Sequence, residues 1–378
     1  MKIPTWPQHG ERESELLATV LDSPQWGGFH PFITEFEQSF ATYQHAAHGV
    51  SVFNGTVALE LALNVLGIGP GDEVVVPAIS FISTATAVSR VGAVPVFADV
   101  ERDSFNLDPA RISEALSGRT RALITVHFGG TMCKIDEISR ICHEHNLFLI
   151  EDAAHAQGSE WNGQRAGSFG VVGAFSFQNG KVLCSGEGGM LVSSNDSFAE
   201  IARSVANCGR TIGSSFYEHH RVGSNYRLSA FQAAVLLAQF ERLPEQIRRR
   251  TANAQLLKDL LKDVEEIVWQ AQPPQITQNS FYLLTGRVRG PAGARDAFHR
   301  TITAGGVPCT PFYPHTIYAN PAYRHASCRV MPCPVAEESV ADAFWLPHRV
   351  LLAEENTIRQ IADVVKAALT ADALSSRC

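Results

Sequence analysis

The stretch RALITVHFGGTMCKIDEISRICHEHNLFLIEDAA (residues 121–154) decides the fold. Two short apolar runs, RALITVHF and LFLIEDAA, flank KIDEISRICHEHN, whose apolar residues recur at helical spacing. The same alternation runs from about residue 50 to 240. TVALELALNVLGIG reads as a helix ending in glycine, DEVVVPA as a strand and FISTATAVSRVG as a helix. VPVFADV is a strand and DPARISEALSG a helix. Strands alternating with helices specify an α/β chain whose sheet is mostly parallel and covered on both faces. GAFSFQN and GGMLVSS follow each other so closely that they read as antiparallel neighbours.

Downstream, SAFQAAVLLAQFERLPEQIRRRTANAQLLKDLL reads as a long helical stretch with a break at Pro244, and Arg248, Arg249 and Arg250 read as a solvated helix face. Beyond it, proline interrupts strands and helices in YLLTGRVRGP and GVPCTPFYPH. This divides the chain into a large domain, residues 1–250, and a small α+β domain, residues 251–378. The N-terminal segment is free to pack on the small domain.

Composition narrows the function. The 378 residues are 45% hydrophobic and 18% charged, ordinary values for a globular enzyme. A net charge of −7 offers no broad positive field for a phosphate backbone, which argues against nucleic-acid binding. MKIPTWPQHG contains no signal-peptide core and no run is long enough to span a bilayer, so a cytoplasmic chain without a membrane partner is expected. Eight scattered cysteines, including Cys378 and with no C-x-x-C pair, read as free thiols. CHEH (residues 142–145) lies in a surface helix without metal-ligand spacing, so no metal is assigned.

Ligands of open α/β sheets bind beyond the carboxyl ends of the strands. Those ends supply Glu151 and Asp152, His127, Ser80 and Phe81, and the segment from Ser176 to Lys181. FNGTVALELAL places Asn54, Gly55 and Thr56 ahead of a helix, either as a plain N-cap or as an anion cradle. Lys181 could be a solvated lysine and Asp152 a helix cap. Together, however, a phosphate cradle, a buried carboxylate and a lysine on a glycine-flanked turn are what pyridoxal 5′-phosphate (PLP) requires.

FNGTVALELAL, PAISFISTATAV, GAVPVFADV, IEDAAHAQGS, FSFQNGKVLCSGEGGMLVSSND and GSNYRLSAFQAAV resemble the DegT/DnrJ/EryC1/StrS aminotransferases, in order and over nearly the whole chain. The resemblance implies a PLP-dependent transferase of fold type I, similar to aspartate aminotransferase. Its large domain carries a mostly parallel seven-stranded sheet. It also implies roles. Lys181 forms the Schiff base and shuttles the proton, Asp152 keeps the pyridine nitrogen protonated, and His155 lies against the phenolic oxygen. Phe81 stacks on the ring, while Asn54, Gly55, Thr56 and Ser176 hold the phosphate end. Asn225 reaches the phosphate of a neighbouring subunit, which implies a homodimer with shared sites. Tyr313, His315 and His348 are candidates to touch the acceptor.

The closest resemblance is to two subgroups, scyllo-inosose type aminotransferases and 3-amino-5-hydroxybenzoate synthase. Transamination of a keto-cyclitol or keto-sugar, with glutamate or glutamine as donor, is the preferred reading. Aromatising dehydration is the alternative and a non-catalytic PLP-binding regulator the remote one. Ring identity, donor and stereochemistry stay open.

Overall fold

Glu73–Pro77, Val94–Ala98, Thr120–Val126, Phe148–Asp152 and Val172–Ser176 lie side by side as parallel strands in one sheet. The computed structural model describes residues 1–211, 213, 215 and 217–369. Consecutive side chains of a strand point to opposite faces, so a strand covered on both sides must be apolar throughout. Val74, Val75 and Val76 illustrate this: Val75 joins one core cluster, and Val74 and Val76 join the other. Gly189–Ser193 runs back antiparallel to Val172–Ser176, as expected, and His48–Val52 pairs antiparallel on its far side.

The sheet has eight strands rather than seven, because Arg329–Val330 adds in parallel to the outer edge of Val94–Ala98. A two-residue strand carries no periodicity, which is why pattern reading passes over it. Ile267–Trp269, Leu283–Val288, Ala343–Pro347 and Thr310–Pro311 form a second, wholly antiparallel sheet. It shares a third core cluster with the helices Ala294–Ala304 and Glu355–Ala368, through Phe298, Ile302, Ile358 and Ile361. Ile3 packs on this cluster, and Arg349 donates to the Pro4 carbonyl at 3.2 Å.

The helix Ala230–Leu260 joins the two regions without a break. Ser229 caps it, with Gln232 completing a reciprocal capping box. Pro244 lies inside it, although an interior proline removes one hydrogen bond and crowds a carbonyl. Burial on both sides holds the helix together: Leu243 and Ile247 sit in the first cluster, and Ala254 and Leu257 in the third. Residue 250, where the sequence suggests a boundary, falls within this helix. Arg248 and Arg249 are surface residues paired with Glu245 and Glu354. Arg250 departs from the solvated face expected for it. It is fully buried, with Nε donating to the Ser280 carbonyl at 2.7 Å.

No helix among the described residues is long and apolar enough to cross a membrane. No metal-holding group of three or more His, Cys, Asp or Glu occurs among them. The seven cysteines they include are free, and Cys378 lies outside the described residues.

Glu151 and His127, expected to converge with Asp152 on one pocket, instead form a buried structural pair. His127 Nε2 donates to Glu151 at 2.9 Å while its Nδ1 accepts the Cys133 N–H at 3.3 Å. The same carboxylate accepts the N–H groups of Gly167, Phe169 and Gly170 at 2.7–2.8 Å. Glu151→Ala is expected to cost about 3–5 kcal/mol, because it strands all of these donors in a dry interior. Denaturant unfolding measures this, and an unchanged midpoint would refute the structural assignment.

Candidate active site

The strands Phe148–Asp152 and Val172–Ser176 end side by side, and the helix Gly55–Val65 starts against them. Asn54 caps this helix, its Oδ1 accepting the Val57 N–H at 2.9 Å. The fit is so close that glycine is required at two places. A Cβ on Gly55 would stand 2.7 Å from the Ser176 Cβ, and one on Gly189 would stand 2.4 Å from the Asn54 carbonyl. The first-turn N–H groups of a helix have no partner within it. Here they open beside the Ser176 hydroxyl and the Thr56 hydroxyl, which is 2.7 Å from that of Ser83. That combination suits a phosphate or another anion.

From Ser176 the chain turns tightly to Lys181. Gln178 builds the turn, its carbonyl accepting the Lys181 N–H at 2.8 Å and its side chain the Gly180 N–H at 2.7 Å. Two rings hold the turn from behind. Trp6 donates to the Lys181 carbonyl and His348 donates to the Gly180 carbonyl, both at 3.1 Å. Lys181 is only 9% exposed, and its Nζ lies 4.5 Å from the centre of the Tyr282 ring.

Asp152 is buried, with Thr84 donating to it at 2.7 Å and the Ala154 N–H at 3.3 Å. Burial raises its pKa above the ordinary carboxylate value; the Thr84 bond and the Lys181 charge oppose that rise. His155 is driven the other way. Burial, then the Lys181 charge, hold its pKa well below the usual imidazole value. Its Nδ1 accepts the Gly129 N–H at 3.3 Å, so the neutral ring carries its proton on Nε2.

These groups share one cavity of about 550 Å³. It is lined by Asn54, Gly55, Thr56, Phe81, Asp152, His155, Ser176, Lys181 and Tyr313. Phe81 stands at its rim, 58% exposed, which is unusual for a phenylalanine with a purely structural role. Tyr313 sits inside among Phe128, Phe312 and Trp345, and burial raises the pKa of its phenol.

Three of the residues picked from the sequence do not line the cavity. His315 is exposed elsewhere on the surface. Asn225 is exposed too, on a segment bridged to Asn207. His348 lies buried beneath the lysine turn, edge-on to Trp6 at 4.5 Å. The turn His348–Leu352 tucks inward because Val350 and Leu351 belong to the third cluster. Sequence reading missed Tyr282, Trp345 and Glu187, all of which line the cavity. Tyr282 and Trp345 come from the second sheet, more than 100 residues from Lys181. No local pattern connects them to it.

A buried carboxylate with a raised pKa contributes stability below its unfolded pKa and loses it as pH rises through the folded value. Asp152 therefore strains the ligand-free chain at neutral pH. Asp152→Asn is expected to raise the ligand-free thermal midpoint at pH 7, with the gain shrinking toward pH 4. Scanning calorimetry at both values checks this, and a variant no more stable at pH 7 than the parent counts against it.

Comparison with known proteins agrees with this geometry. The profile of the DegT/DnrJ/EryC1/StrS aminotransferase family matches residues 7–366. The chain is 37% identical to a 3-amino-5-hydroxybenzoate synthase from Amycolatopsis mediterranei, over 96% of both chains. It is 36% identical to a putative L-glutamine:3-amino-2,3-dideoxy-scyllo-inosose aminotransferase from Micromonospora echinospora, over 96% of this chain and 92% of that one. A crystal structure of 3-amino-5-hydroxybenzoic acid synthase superposes with a TM-score of 0.93 at 37% identity, covering 97% of this chain and 98% of that one. With that coverage, and with the lysine, the buried acid and the anion cradle gathered in one cavity, the chain belongs to the DegT/DnrJ/EryC1/StrS aminotransferase family.

Proposed function

We propose that this protein uses PLP to transfer an amino group from glutamine or glutamate to a cyclic polyol ketone, a keto-cyclitol or a keto-sugar. The observation that carries the reading is the union of Lys181, Asp152, His155 and the glycine-walled cradle in a single cavity. The residues present fit the cofactor. Gly55, Thr56 and Ser176 suit its phosphate, and the bare carboxylate of Asp152 suits a protonated ring nitrogen. The Nε2–H of His155 suits the phenolic oxygen, and Phe81 suits a ring face.

PLP, when bound, supplies an aldehyde for the lysine amine and a ring that takes up the electron pair left by a departing proton. The chain supplies the rest. Lys181 Nζ takes and returns the proton. Asp152 keeps the ring nitrogen protonated, and the raised pKa that strains the ligand-free site is relieved by that bond. On the acceptor side, Tyr313, Tyr282 and Trp345 offer ring faces, and Gln178 and Glu187 offer polar groups for hydroxyls. The similarity to the scyllo-inosose aminotransferase supports this substrate class.

The reading includes a homodimer. Trp26, Phe29 and Val222 are 53%, 64% and 98% exposed on the side of the chain that carries Asn225. Arg227, two residues from Asn225, has its guanidinium 5.5 Å from the centre of the Phe29 ring. Large apolar side chains left open in one region suit a second copy, which brings Asn225 to its neighbour's phosphate.

Absorption of the PLP-loaded chain tests the function. Glutamine or glutamate is expected to shift the cofactor band, and a matching keto-cyclitol to restore it. Lys181→Ala is expected to lower turnover at least about 10⁴-fold and to remove the lysine-linked band. A band indifferent to every amino donor would favour aromatising dehydration or a non-catalytic PLP binder instead.

A further inference from the structure

We propose that Tyr282 is a positioning residue for Lys181, its ring face holding the lysine's ammonium while that amine is free of the cofactor and carries a proton. The inference rests on the reading of Lys181 given above. During transamination the lysine leaves the cofactor, takes up a proton and so becomes a cation inside a dry cavity before it passes the proton on and returns. A buried ammonium is costly unless something replaces its water. The Tyr282 ring lies where it can do so, 4.5 Å from Nζ, within the range of an effective cation–π contact.

The ring is held rigidly for this purpose. His155 packs against it, tilted by 38° with centroids 4.4 Å apart, and His348 lies more nearly parallel, at 27° and 6.1 Å. The Tyr282 carbonyl accepts the His348 N–H at 3.1 Å. His348 thus braces both partners of the contact, since its Nε2 also holds the Gly180 carbonyl next to the lysine. Both imidazoles are kept neutral by burial, so neither competes with the ammonium for the ring as a cation. The contact spans the two sheets: Lys181 follows the strand Val172–Ser176, and Tyr282 precedes Leu283–Val288.

The test compares Tyr282→Phe, which keeps the ring face, with Tyr282→Leu, which removes it. The first measurement is the equilibrium between the lysine-linked holoenzyme with amino donor and the aminated holoenzyme with keto acid, read by absorbance. Only the aminated form has a free lysine. Tyr282→Leu is expected to lower this constant by about two- to thirtyfold, and Tyr282→Phe to leave it within twofold. The second is the rate of Lys181 acylation in holoenzyme loaded with pyridoxamine 5′-phosphate, read by peptide mass spectrometry. Loss of the ring should raise that rate by a similar factor, because the amine is no longer covered and held by the ring face. If both variants match the parent, or if Phe changes as much as Leu, the proposal is overturned. If the parent responds to no amino donor, the transamination reading fails and the acylation rates alone decide the role of Tyr282.

Discussion

Neighbouring residues of a β-strand cannot face the same side, and at the end of Phe148–Asp152 two carboxylates obey that constraint. One must enter the cavity and the other must enter the opposite core. Glu151 takes the core and is fully satisfied there by three backbone N–H groups and His127. Those N–H groups belong to the segment leading into Val172–Ser176, so the structural carboxylate also sets where Ser176 and the lysine turn begin. Asp152 takes the cavity with two donors and no bonded cation. The strand therefore assigns one acid to the architecture and turns the other into the cavity.

Strain in the site follows the same division. His155 is neutral and Asp152 resists ionisation because both are dry, and both conditions ease only if a ligand brings a complementary group. Such perturbed groups, gathered in one cleft, mark functional sites more often than structural ones. The glycines at 55 and 189 serve a similar end. They allow a helix start to rest on two strand ends with no side chain between, which leaves room and free N–H groups where an anion would lie.

Much of this was legible in the sequence because it is local. The strands and helices of the large sheet come from short-range periodicity. Lys181, Asp152, Gly55 and Ser176 stand at strand or helix ends, where an α/β sheet presents its ligands. What the pattern hid is tertiary. Pro244 reads as a break, yet the burial of Leu243, Ile247, Ala254 and Leu257 holds the helix through it. Arg250 shares a charge run with two surface arginines, and its burial against the Ser280 carbonyl, 30 residues on, is a tertiary fact. That His348 lies behind the lysine turn is not legible either, because backbone carbonyls as partners leave no trace in sequence. Tyr282 and Trp345 reach the cavity only through the pairing of Leu283–Val288 with Ala343–Pro347.

The first few residues carry a practical consequence. Trp6 bonds the carbonyl of Lys181 itself, Pro4 is tied to Arg349, and Ile3 packs against the third cluster. The amino-terminal arm is thus part of the floor beneath Lys181. A change that reaches Ile3 or Trp6, though far from Lys181 in sequence, therefore disturbs the turn that carries it.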